Sequence, residues 1–216
     1  MNREPFVNGE FYHVYNRGVD KRRVFLTDTD FVRFLKSMEE FNSVDPIGSL
    51  YANSFEKDKL SGSTAKSESL VDIVAYCLNS NHFHFILRQV SENGISEFMK
   101  RLSGGYTWYF NNRRERSGTL FQGRFKAVHV DSNPYLLHLS AYVNLNNSAH
   151  KVNKTYRSSW GEYMRENSGS LCKKDIILDQ FDGINEYAKF AEDALKNIVE
   201  RKEIYAELEN FFFDEE

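Results

Sequence analysis

The sequence predicts an α+β fold: a four-stranded antiparallel sheet with two helices on one face, an added helix near the other, and a helical C-terminal extension. Three observations predict it. Two apolar, β-rich runs, LVDIVAYCL (70–78) and HFHFILRQ (82–89), are separated only by Asn79, Ser80 and Asn81, which is hairpin spacing. Segments with helical apolar stripes alternate with strand-like runs along the first 150 residues. With 41% hydrophobic and 15% aromatic residues in a chain of 216, there is material for one packed core plus an appendage.

Taken in order, FYHVYNRG (11–18) is aromatic and alternating enough to be the first strand. A helix follows, capped by Thr27 or Asp28, with Phe31, Phe34, Leu35 and Met38 at i, i+3, i+4 and i+7. Residues 44–68 mix Pro, Gly, Ser and charge without a period and read as a loop insertion. After the hairpin, a helix from about Ser96 to Glu115 carries Phe98, Leu102, Tyr106, Tyr109 and Phe110, with Gly104 and Gly105 as a weak point. RFKAVHVD (124–131) is the fourth strand. Asn133 before Pro134 then opens the added helix, as an N-cap followed by the residue favoured at the first helical position. The order β-α-β-β-α-β is the ferredoxin-like (RRM-like) plan. Residues 1–150 thus form the core domain, and 151–216 an acidic extension whose 184–211 stretch is amphipathic and helical.

Composition bounds what the chain can do. Cys77 and Cys172 are the only cysteines, no charged segment leads into an apolar one at the start, and no apolar run approaches the ~20 residues that span a bilayer. The expectation is a cytoplasmic protein without a membrane segment. The net charge of −3 conceals a division. Residues 100–130 hold Lys100, Arg101, Arg113, Arg114, Arg116, Arg124 and Lys126 against Glu115 alone, whereas 171–216 hold 6 basic and 13 acidic residues. The basic middle, with exposed aromatic candidates such as Trp108, suits phosphate contacts and base stacking; arginines paired within the fold are the plainer reading.

The chemistry centres on His82 and His84. On a strand they share one face, opposite Phe83, Phe85 and Leu87. Adjacent imidazoles suit metal capture, although chance yields some His-x-His in about 0.17 of chains with this many histidines. If the phenylalanines pack under the helices, the histidines project from the free face, where the added helix lies. In PYLLHLSAYVNLNN (134–147), Leu136, Leu139, Ser140 and Val143 form the buried side, while His138, Tyr142 and Asn146 form a polar line at i, i+4 and i+8. Tyr142 offers a phenol nucleophile and Asn146 an amide oxygen. A packing tyrosine and a helix-terminal asparagine are the alternatives.

Across residues 10–150 the chain resembles the HUH single-tyrosine transposases of small bacterial insertion sequences, and especially the REP-associated tyrosine transposases. The segments that carry the resemblance are YHVYNRG (12–18), FLTDTDFVRFL (25–35), NHFHFIL (81–87), GTLFQGRFKA (118–127) and YVNLNN (142–147), in order. The resemblance implies His82, His84 and Asn146 as ligands of magnesium or manganese and Tyr142 as nucleophile. It also implies cleavage of single-stranded DNA, beside a hairpin or palindromic repeat, through a 5′-phosphotyrosine link. Arg17 and Arg124 lie in matching segments and join Arg101, Arg113, Arg114, Arg116 and Lys126 as candidate DNA contacts. His138 is a candidate helper to Tyr142. Monomer and homodimer are both open. So are a catalytically silent nucleic-acid-binding module, a hydrolytic metalloenzyme without a covalent tyrosine, and a repeat-processing regulator on the same fold.

Overall fold

The computed structural model describes residues 5–45, 68–150, 156–165 and 171–200. The 44–68 insertion therefore lies almost wholly outside the described residues, as does the tail beyond residue 200. The described elements are β1 (Phe11–Arg17), α1 (Asp28–Glu40), β2 (Val71–Leu78), β3 (His82–Gln89), α2 (Gly94–Arg113), β4 (Lys126–Val130) and α3 (Asn133–His150). Beyond them come β5 (Arg157–Ser158), two one-turn helices α4 (Trp160–Tyr163) and α5 (Asp175–Leu178), and α6 (Ile184–Glu200).

All sheet neighbours are antiparallel, in the order β4-β1-β3-β2-β5. The first four strands have the ferredoxin-like arrangement expected. The fifth corrects the four-stranded expectation: Arg157 and Ser158 pair with Leu78 and Cys77 at the outer edge of β2. Two residues carry no period by which a sequence could announce them.

One face of the sheet packs under α1 and α2. Phe83, Phe85 and Leu87 are fully buried there, with the Phe34 ring 5.7 Å from Phe83 and 4.8 Å from Tyr106 of α2. Asp30 starts α1 by accepting the backbone N–H groups of Leu26 and Thr27 at 2.9 and 3.0 Å, an acid in the first turn reaching back to its own cap. Gly105 is no weak point. A Cβ there would stand 2.7 Å from the Phe41 ring, so glycine is what lets α2 approach this close.

The opposite face is not free. α3 lies across β2 and β3, and α6 packs on the far side of α3. Leu136, Leu139, Ser140 and Val143 are buried as expected. Asn144, unremarked in the sequence, is buried too: its amide donates to the Tyr187 hydroxyl of α6 at 2.8 Å and its carbonyl accepts from Ser159 at 2.5 Å. Ser140 lies 3.1 Å from the same Tyr187 hydroxyl. The start of α3 also shifts by one position. The Leu136 N–H bonds the Ser132 carbonyl and Asn133 instead donates to Gln180, so Ser132 is the residue that precedes the first turn.

Candidate metal and nucleophile site

The register of the sheet sets the site. Opposite residues on antiparallel neighbours share a face, so Arg17 stands beside His82, and Tyr15 and Cys77 flank His84. His82 and His84 sit with ring centroids 5.1 Å apart. This row faces α3, and the ring of Tyr142 meets that of His84 edge to face at 5.7 Å. Tyr142 is half-buried. Asn146, one turn on, is fully buried beside the β2–β3 turn.

Hydrogen bonds define which histidine nitrogens carry lone pairs. The Asn81 amide donates to the Lys21 carbonyl at 3.3 Å, which leaves its oxygen to accept from His82 Nδ1 at 2.7 Å. The proton is then on Nδ1, and Nε2 is an electron-pair donor. Asn79 Nδ2 lies 3.0 Å from that Nε2 and 2.7 Å from Asn146 Oδ1, so one amide group holds both acceptors close. Asn146 Nδ2 is buried with no hydrogen-bond partner among the described residues. Such an orphan costs about 1–3 kcal/mol and marks a place shaped for something besides stability.

His84 Nδ1 is 3.0 Å from Nε2 of His13, a buried residue of β1 whose pKa burial pushes down to about 3. The His13 ring is therefore neutral near pH 7, and one proton lies on the contact between the two nitrogens. With that proton on His84 Nδ1, His84 Nε2 presents a lone pair on the same face as His82. His13 lies inside YHVYNRG (12–18), but no role was read for it there. A signal exists all the same, because it has the parity of Tyr15 and Arg17, which becomes meaningful once β1 is known to pair with β3.

The other candidates divide. His138 is exposed and its ring packs 5.2 Å from Phe190 of α6. Arg114 donates to the buried Asp30 at 2.6 Å and lies 4.2 Å over the Phe110 ring. Arg101 donates to Glu97 and to the Ser43 carbonyl, and Arg116 to Asn111 and the Thr119 carbonyl. These three arginines brace α2 and its exit, on the layer across the sheet from Tyr142. Arg113 is exposed beside Tyr109 in the same region. Arg17, Arg124 and Lys126 lie nearer the histidines: Arg17 is opposite His82, and Lys126 is exposed and paired with Tyr15. Arg124, also exposed, adjoins Gly123, whose carbonyl accepts from Asn16 of β1. Trp108 is 68% exposed.

Residues 58–146 match a family model described as "Transposase IS200 like". This IS200-like segment runs from before β2 to Asn146 and contains both histidines, Tyr142 and Asn146. Over that span the resemblance read from the sequence is borne out. A solved structure described as "Structure of the REP associates tyrosine transposase bound to a REP hairpin" is similar at a TM-score of 0.47 and 13% identity, covering 80% of this chain and 93% of that one. No curated protein matches the chain in sequence. Among the described residues no helix is long and apolar enough to cross a membrane.

Proposed function

We propose that the chain is a divalent-metal-dependent single-strand DNA endonuclease and strand transferase in which Tyr142 is the nucleophile. The observation that supports this most is the convergence beside Tyr142 of an imidazole lone pair, on His82, and an amide oxygen, on Asn146, about a single point. Imidazoles alone would suit zinc; an added amide oxygen and open positions are compatible with magnesium or manganese, the ions the resemblance favours, and the family match covers all four residues. His82, His84 and Asn146 would hold the ion, which when bound polarises the phosphate and offsets its charge.

The rest falls to the chain. Tyr142, carried on a helix clamped between the sheet and α6, keeps its ring against His84 of the ligand row, where one strand can present phosphorus in line. A new Tyr142 Oη–P bond forms as the P–O3′ bond breaks. The phenolic proton is lost and the departing 3′ oxygen gains one, leaving a 5′-phosphotyrosine and a free 3′-OH. Reversal onto another 3′-OH rejoins strands without further energy input. Arg17, Arg124 and Lys126 are the cations we assign to the entering backbone, and single-stranded DNA beside a hairpin is the substrate we assign to the site.

The decisive experiment mixes the full chain with a labelled hairpin carrying a single-stranded flank, in manganese, and looks for a denaturant-resistant adduct. Wild type forms it; Tyr142→Phe forms none while still binding the DNA. An adduct with Tyr142→Phe would assign the nucleophile elsewhere. Binding without any wild-type adduct would leave the silent module as the better reading.

A further inference from the structure

Asn79 has no role among the ligands named so far. It stands at the end of β2, its backbone N–H bonded to the His82 carbonyl at 2.8 Å, with its side chain almost fully buried. A buried amide in a hairpin corner ordinarily bonds backbone. This one is aimed instead at two side-chain atoms, His82 Nε2 at 3.0 Å and Asn146 Oδ1 at 2.7 Å. Both are electron-pair donors already assigned to the metal.

The spacing is informative. Neighbouring donor atoms around an octahedral ion with bonds of ~2.1 Å stand about 3 Å apart. The end of the Asn79 amide is thus at ligand-to-ligand distance from two ligands, on the side where their lone pairs point. Its NH2 group offers hydrogens to both lone pairs. A cation shared by those lone pairs would repel the NH2 and attract the amide oxygen, and a half-turn about the terminal bond of the side chain exchanges the two ends without moving the backbone.

We propose that Asn79 is a fourth protein ligand, supplying Oδ1 to the divalent ion alongside His82, His84 and Asn146. The inference rests on the metal site proposed above. It gives the β2–β3 corner two asparagines with different duties: Asn81 fixes the tautomer of His82, and Asn79 completes the shell. Four protein ligands leave fewer open positions, so the site takes up only one or two phosphate oxygens at a time.

Manganese titration calorimetry on the full chain tests this without reference to cleavage. Wild type should bind, and His82→Ala should not. Asn79→Ala should bind about tenfold or more weakly. Asn79→Asp separates the two roles of the amide: a carboxylate keeps the ligand oxygen but cannot donate hydrogens to His82 and Asn146. A ligand role therefore requires Asn79→Asp to bind manganese at least as tightly as wild type. Asn79→Ala binding within twofold of wild type, or Asn79→Asp binding as weakly as Asn79→Ala, overturns the proposal while leaving the three-residue site intact. Absence of binding by wild type removes the site itself. Should circular dichroism show Asn79→Ala unfolded, the Asn79→Asp comparison decides alone.

Discussion

His13 shows how a residue without a role at the level of sequence can bear on one that has. It contributes a ring to His84 from the neighbouring strand, and with the shared proton on His84 Nδ1 that contact leaves His84 Nε2 as the electron-pair donor. Replacing it by phenylalanine keeps the volume and removes the nitrogen. We expect His13→Phe to fold and to lose roughly 10–100-fold in manganese affinity, read by titration calorimetry, as partners behind metal-bound imidazoles generally do. Unchanged affinity would make the histidine contact a packing detail. The side of the sheet on which His82 and His84 lie was legible in the sequence because strand periodicity allows only two faces, and three apolar residues occupy one of them. Asn79 and Asn81 were legible only as turn residues: the composition of a hairpin corner explains asparagines fully, the Asn81 contact with His82 appears only in the folded hairpin, and the Asn79 contact with Asn146 only when α3 is laid against it.

At the scale of elements, the exit of α2 and the edge of β4 exchange the parts that their composition suggests. A run of arginines reads as one basic patch, yet Arg114 is spent on the buried Asp30 and so on the start of α1. Removing it leaves a buried carboxylate unpaired, and Arg114→Ala should lower stability by about 3 kcal/mol in urea melts. The double replacement of Arg124 and Lys126 by alanine should leave the melt nearly unchanged and flatten the salt dependence of single-strand binding, by about 0.7 in the logarithmic slope for each phosphate no longer neutralised. A flattened slope in Arg114→Ala with normal stability would reverse these assignments. The pairing of α3 with α6 was half legible. The stripe of Leu136, Leu139, Ser140 and Val143 predicted the buried side of α3, but its contact with α6 also depends on Asn144, a residue that polarity scales place in water. Tyr187→Phe removes the hydroxyl that both contact, leaving the Asn144 amide without its acceptor. The expected loss is about 1–3 kcal/mol, measured as a lower urea midpoint with an unchanged slope.

The molecule as a whole is a layered stack, α1 and α2 on the sheet, then α3, then α6, and tyrosines stitch the layers. Tyr106 donates to the Val24 carbonyl, Tyr163 to the Val74 carbonyl, and Tyr76 to Glu162. Burial pushes the Tyr187 hydroxyl up to about 12, those of Tyr76 and Tyr106 higher still, and that of Tyr163 well above its ordinary value. In the unfolded chain each ionises near ~10. Above that pH the unfolded state therefore binds fewer protons than the folded one, and stability, complete below pH ~10, falls as pH rises. Absorbance titration should show the exposed members of the 12 tyrosines ionising first and the buried set only together with unfolding. A single transition near pH ~10 with the fold intact would contradict this. The layer order was legible as far as α3 because the β-α-β-β-α-β plan is written in periodicity. The outermost layer was not, since an amphipathic helix states that it has a partner but not which one.

That outermost layer also sets a timetable. Strands β1 to β4 and the histidine row are complete in the chain well before α6 is synthesised, but the far side of the tyrosine helix has nothing to rest on until residues 184–200 emerge. At ~5–20 residues per second of synthesis the interval is a few seconds. During it the nascent protein carries the histidine row with Tyr142 not yet anchored, so under the proposed function competence to cut a strand would arrive late in the birth of the molecule, after the surface assigned to grip that strand.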